Sequence, residues 1–273
     1  MNKQFLITFK QFLLFLLLSQ GVMAFGMVAA VISGSAKGLE KEEMLGYALS
    51  SRITACSMIL GYVLTIAVFL GRRYVKVKLG RIERDRLWPM AGMAALIALG
   101  WMFTEVGILQ LFDADKLFAD DLEELKELEK LMSGPLGAIA VGLLAPIAEE
   151  IGFRGVLLGG LIRMRCGAWP AIVISALVFA FFHGTQLQML GTTVFGIIAG
   201  WLFWRTRSLI PGMIIHIVNN SSAVILEKIC PDYEPSKLIC VLMIVVFLPI
   251  LLFGLKWFNR DRTHRRLRPD RCR

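Results

Sequence analysis

The chain has 273 residues, 56% of them hydrophobic, with a mean hydropathy of +0.66 and a formal net charge of +9. A soluble domain of this length would expose too much apolar surface at that composition, so a polytopic membrane protein is expected rather than a globular enzyme. The basic excess calls for no nucleic acid, because it lies mostly between apolar blocks, where membrane orientation and anionic lipid headgroups account for it.

The apolar residues fall into eight blocks, about 11–33, 51–71, 88–112, 136–161, 169–184, 187–204, 208–226 and 238–257. Each approaches the ~20 residues a membrane helix needs, the fifth and sixth being short. The first, in "MNKQFLITFKQFLLFLLLSQGVMAFGM", resembles a signal peptide with Val22-Met23-Ala24 as its cleavage site. Its apolar run continues to Ile32, however, as an uncleaved first helix would. The second block runs into a basic loop, 72–86, that carries Arg72, Arg73, Lys76, Lys78, Arg81, Arg84 and Arg86. The third contains Glu105, placed either at the outer boundary facing water or on an interior cavity.

Segment 113–132, "DADKLFADDLEELKELEKLM", sets Leu117, Leu122, Leu125, Leu128 and Leu131 at three- and four-residue steps among acids. That pattern predicts an amphipathic helix on the outer surface, acting as a solvated connection. The fourth block holds "LLAPIAEEIGFRGVLLGG", Leu143 to Gly160, and Arg163 and Arg165 follow it. The fifth closes on "FAFFHG" with His183. The sixth carries Gly191, Gly196 and Gly200, which allow close helix packing, and is followed by Arg205 and Arg207. The seventh contains "GMIIHIVNN", with His216, Asn219 and Asn220. The eighth leads into a basic tail, "NRDRTHRRLRPDRCR", read as a topology anchor rather than an RNA-binding arm.

Lys and Arg alternate from loop to loop in register with eight spans. The expected fold is therefore all-α, a polytopic membrane protein of about eight transmembrane helices with both termini cytoplasmic. It reads as one membrane domain in three parts. Residues 1–135 form N-terminal membrane helices and the amphipathic connection, 136–226 a core, and 227–273 the last helix and tail. Cys56, Cys166, Cys230, Cys240 and Cys272 lack paired metal-ligand spacing, although a disulfide between Cys230 and Cys240 is conceivable on the outer side.

Glu149, Glu150 and Arg154 stand out within the fourth block. Each costs about 2.5–3.5 kcal/mol at a helix centre, so the three together cost roughly 8–10 kcal/mol before pairing. The thirteen Leu, Ile, Val and Phe residues between Leu136 and Ile162 return only ~6 kcal/mol. Charges this expensive face a protein interior and usually serve function. Glu150 and Arg154, at i and i+4, share a helical face and can pair. Glu149, turned about 100° away, stays available.

The chain has three histidines, and His264 lies in the tail. His183 and His216 fall in blocks that can neighbour the fourth, and Asn220 shares the helical face of His216. A carboxylate desolvated in a bilayer becomes a better base near neutral pH. Glu149, helped by His183, can take a proton from water attacking a peptide carbonyl, while His216 and Asn220 donate to the oxyanion. Alternatively, Glu149, His183 and His216 can supply three ligands to a catalytic zinc. Spacing alone fits both mechanisms.

These residues resemble the CPBP intramembrane proteases, the family of the CAAX prenyl endopeptidases and of bacterial proteins linked to bacteriocin processing and immunity. "EEIGFR" (Glu149 to Arg154) is similar to the family's EExxxR motif, "FAFFH" (Phe179 to His183) to FxxxH, and "HIVNN" (His216 to Asn220) to HxxxN. The resemblance covers about residues 136–226. It implies that Glu149 and His183 activate water, that His216 and Asn220 form the oxyanion site, and that Glu150 and Arg154 support the geometry. The motif set fits a mechanism needing no cofactor at least as well as a zinc-dependent one, and the metal-free form is preferred.

The expected protein is an integral membrane endopeptidase of a prokaryotic cell membrane. Its partners are the lipid bilayer and a membrane-associated protein or peptide substrate, prenylated or leader-bearing, and not nucleic acid. The rival reading is a non-enzymatic bacteriocin self-immunity factor or scaffold on the same fold. A transporter would call for inverted repeats or broken helices in matching halves, and the sequence has neither.

Overall fold

The computed structural model describes residues 3–75, 84–231 and 233–260. Lys76, Lys78, Arg81, His264, Cys272 and most of the basic tail lie outside the described residues. Among the described residues, every regular element is helical. In chain order these are α1 (Lys3–Ala36), α2 (Lys41–Ser50), α3 (Arg52–Gly71), α4 (Arg84–Leu111), α5 (Ala114–Leu117), α6 (Ala119–Ser133), α7 (Pro135–Arg163), α8 (Ala168–Phe181), α9 (Gln186–Thr206), α10 (Ile210–Ile229) and α11 (Lys237–Arg260).

All eight apolar blocks are helices. Six helices are long and apolar enough to cross a membrane: α1, α3, the Leu87–Leu111 part of α4, α7, α9 and α11. The chain is thus an integral membrane protein by build. The other two blocks differ from a simple span. Helix α8 has 14 residues, short of the ~20 that a crossing needs. Helix α10 has 20 residues but carries His216, Asn219, Asn220, Ser221 and Ser222 in its middle, which lower its apolarity. The helices that depart from membrane character are α8, which the second motif runs out of, and α10, which carries the third.

Helix α7 is the pillar of the fold. The share of its most apolar stretch buried inside the protein is 56%, against 17% for α11, whose Val245, Val246, Leu252 and Phe253 point outward. Such an outward apolar face suits hydrocarbon surroundings. Helices α1, α3, α8, α9 and α10 all pack on α7, while α4 pairs with α11 and α10.

Missing side chains set the closest approaches. A Cβ on Gly152 would stand 2.5 Å from the Phe15 ring, and one on Gly160 would overlap Thr8, so α1 lies directly on α7. The first block is a continuous helix whose Phe15 is fully buried. Gly196 and Gly200 in α9 face Ala176 and Ile172 in α8, as expected of packing glycines. Gly191 serves another purpose, because its open face receives the Glu105 carboxyl.

The amphipathic segment is helical, as α5 and α6. Leu131 is buried and Leu117 exposed, while the Leu122 and Leu128 side chains lie outside the described set. Asp121 fastens α6 to the bundle by accepting from the backbone N–H of Leu187, 2.7 Å away in the first turn of α9. Free donors at a helix start favour such a carboxylate. Cys56, Cys166, Cys230 and Cys240 are all free, so no disulfide joins Cys230 to Cys240.

Candidate active site

Helix α7 is not uniformly α-helical. Residues Ala140–Leu144 and Glu150–Leu158 widen into π geometry. Such wide turns are rare and recur at functional sites. The second one begins at Glu150, immediately after Glu149, so the acidic pair sits where the helix changes pitch.

The expected ion pair is present. Arg154 Nη1 lies 3.0 Å from Glu150 Oε1, with side-chain exposures of 1% and 0%. The Arg154 guanidinium also lies 4.3 Å from the Phe179 ring centroid, so α8 contributes a cation–π face. Glu150 has a further partner: His216 Nδ1 is 3.2 Å from the same oxygen, Oε1. Gly212, one turn before His216, leaves the room, since a Cβ there would meet Glu150 Oε2 at 2.5 Å. Buried polar atoms need such partners, and Glu150 Oε1 has two of them.

Glu149 is free of that network, as its spacing predicted. Its side chain retains 14% exposure and faces a cavity of about 610 Å³. His216 Nε2 lies 3.6 Å from Glu149 Oε2, beyond a direct hydrogen bond. One imidazole thus touches the supporting carboxylate with Nδ1 and presents Nε2 to the available one. The rings of Phe179 and Phe195 pack against His216 at 5.7 and 5.0 Å and fix its plane.

His183 follows the end of α8. Its Nδ1 is 3.0 Å from the Phe179 carbonyl, which accepts a hydrogen bond from Nδ1–H and leaves Nε2 with its lone pair. Because α8 ends at Phe181 and the chain turns through Gly184 (φ 85°), His183 reaches the same cavity as Glu149 and His216.

Asn220 also lines the cavity, and its Nδ2 donates to the Val141 carbonyl at 3.1 Å. Ser221 donates to Gly142 O at 3.0 Å. Both carbonyls belong to the first wide turn of α7, whose disturbed pitch leaves carbonyls for side chains to satisfy. Asn219 faces the cavity as well and donates to Asn220 Oδ1 at 3.4 Å.

All six sequence-predicted residues are thus brought together: Glu149, His183, His216 and Asn220 on the cavity, with Glu150 and Arg154 behind them. Among the described residues no three His, Cys, Asp or Glu side chains converge as a metal site would require. In the alternative zinc set Glu149, His183 and His216, Nδ1 of each histidine is engaged by Phe179 O or Glu150, each Nε2 is left toward the cavity, and Glu149 Oε2 stands 3.6 Å from His216 Nε2. Two further ionisable groups reach the wall. Glu105 lies on it, hydrogen-bonded by Trp101. Tyr62 is 4% exposed and close enough to feel the Glu149 charge. Sequence reading left Glu105 open and passed over Tyr62, although a tyrosine inside an apolar block needs a polar partner.

The remaining lining is largely apolar and includes Met23, Met27, Met58 and Trp101. A cavity of this size with few convergent polar groups suits a bulky, mostly apolar ligand.

Comparison with known proteins finds similarity over the same residues. Residues 132–222 match the family model described as type II CAAX prenyl endopeptidase Rce1-like. The Bacillus subtilis (strain 168) protein named "Putative membrane peptidase YdiL" is 28% identical over 100 residues, which cover 37% of this chain and 41% of that protein. No solved structure matches significantly. Residues 132–222, the part of the chain similar to the type II CAAX prenyl endopeptidase Rce1-like family, hold all three motifs.

Proposed function

We propose that this protein is an intramembrane endopeptidase that hydrolyses a peptide bond of a membrane-associated protein or peptide. The observation that carries this reading is the meeting of Glu149, His183, His216 and Asn220 on one cavity, although they come from two helices, α7 and α10, and the turn after α8. A water between Glu149 and His183 gives a proton to the Glu149 carboxylate as its oxygen adds to the scissile carbonyl. His183 Nε2, free to accept, orients that water. The tetrahedral oxygen receives hydrogen bonds from Asn220 Nδ2 and from His216 Nε2 when that nitrogen carries a proton. Collapse of the intermediate returns the proton from Glu149 to the leaving amine. Glu150 and Arg154 touch no reacting atom, and they hold His216 in place.

The apolar lining suits a substrate with hydrophobic residues or a lipid group next to the cut. The alternating Lys and Arg loops support an orientation with both termini in the cytoplasm, and the membrane proposed is that of a prokaryotic cell. N-terminal proteomics of membranes from wild-type and Glu149→Gln cells tests the proposal. New protein N-termini present only in wild type are expected. Identical sets, with purified protein inert toward membrane peptides, would leave the immunity factor or scaffold as the better reading.

A further inference from the structure

A second pocket, of about 340 Å³, lies at the helix ends that carry Arg73, Arg163 and Arg207. The three arginines come from different places in the chain: just after α3, the last residue of α7, and just after α9. Arg73 and Arg207 have left-handed backbones, with φ of 54° and 55°. Glycine adopts that conformation most easily at a helix end, yet both positions carry arginine. Arg163 folds back along its own helix, so that its Nη1 lies 3.3 Å from where a Cβ of Gly159 would be. Among the described residues no carboxylate pairs with any of the three.

Each arginine does meet the negative end of a helix dipole, which explains a cation at one end. It does not explain why three converge on a hollow with apolar walls. Those walls are Val75, Ile162 and Phe203, and the floor is glycine, at Gly155 and Gly159. Helices α3, α7 and α9 are each long enough to cross a membrane, so cations at their ends fall at headgroup depth. A phosphodiester anion would meet the guanidiniums, and the glycerol and first acyl carbons would meet Val75, Ile162 and Phe203. A free phosphate would leave those apolar walls unused.

We propose that this pocket binds the phosphodiester headgroup of an anionic phospholipid. The site is independent of the peptidase reading, since it needs neither Glu149 nor a substrate.

The test uses the full chain purified in neutral detergent and titrated with phosphatidylglycerol, phosphatidylcholine or inorganic phosphate. Lipid retention is read by native mass spectrometry and thermal stability by unfolding. Phosphatidylglycerol is expected to be retained and to raise the unfolding temperature, whereas phosphatidylcholine is not. Arg73→Gln, Arg163→Gln and Arg207→Gln should each weaken retention about fivefold, the factor one arginine near a headgroup contributes. The triple Gln variant should lose the effect, and Arg52→Gln, at the start of α3, should keep it. A triple Lys variant guards against misfolding, since it keeps the charges and should keep most of the retention. Three results would overturn the proposal: unchanged retention in the triple Gln variant, equal competition by inorganic phosphate, or loss of retention in the Arg52→Gln control.

Discussion

His216 Nδ1 lies 3.2 Å from Glu150 Oε1, so the histidine of the third motif is anchored to the second acid of the first. The two residues are 66 positions apart, and their contact joins α10 to α7 at the point where α7 widens. It also turns His216 Nε2 toward Glu149 and the cavity. His216→Ala should therefore do two things at once. Cleavage should be abolished, and stability should fall by about 1–3 kcal/mol because buried Glu150 loses a partner. Thermal unfolding beside a peptide-cleavage assay checks both; an active or fully stable variant would contradict the contact's assigned role.

The two neighbouring acids should separate cleanly on substitution. Glu149→Gln keeps the size of a side chain that has no arginine or lysine partner and stands 3.6 Å from His216 Nε2, so folding and abundance should stay near wild type while cleavage is lost. Arg154→Ala leaves Glu150 buried beside His216 without its arginine, and stability should fall by about 3–5 kcal/mol. Detergent-solubilised unfolding curves of both variants, with cleavage rates, give the comparison. A stable Arg154→Ala together with an active Glu149→Gln would reverse the assignment.

Asn220→Ala should lower turnover by about two to three powers of ten, the usual loss for one oxyanion donor. It also strips the Val141 carbonyl of its donor, so a modest loss of stability should accompany the kinetic effect. Asn219→Ala, which removes only a contact to Asn220, should slow turnover far less. Equal losses in the two variants would assign the amide role wrongly.

Exhaustive chelation should leave the activity of purified protein intact. Glu149 and His183 can activate water and His216 and Asn220 can serve the oxyanion without a metal, and among the described residues no three His, Cys, Asp or Glu side chains are grouped as a metal site requires. Metal analysis of active preparations is the check. Stoichiometric zinc, with activity lost on chelation and restored by zinc alone, would decide for the metal.

Reporter fusions should read cytoplasmic after residues 80, 165, 206 and 262, and external near 122 and 233. The grounds are the Lys and Arg distribution, of which positions 80 and 262 lie outside the described residues. A cytoplasmic signal at 122 would change the helix count.

Much of this protein is legible in one dimension. Block length and apolarity determine that residues such as those of α3 and α11 are membrane-length helices, because hydrocarbon leaves a backbone no other partner than itself. The i, i+4 spacing likewise determines the Glu150–Arg154 pair, and by exclusion the availability of Glu149. Tertiary structure alone decided the rest. The chain order does not say that α8 stops short and lets His183 turn into the cavity, since that depends on where Gly184 and α9 lie. Periodicity assumes a regular helix, so it misses the π turns of α7, where the backbone carbonyls of Val141 and Gly142 are met by Asn220 and Ser221 from α10. Nor can spacing reveal that Gly191 makes room for Glu105, or that Tyr62 stands near Glu149, because each is a contact between helices far apart in the chain. Local sequence specifies what a helix is and which face is costly to expose. Only the packing of several helices specifies which costly faces meet.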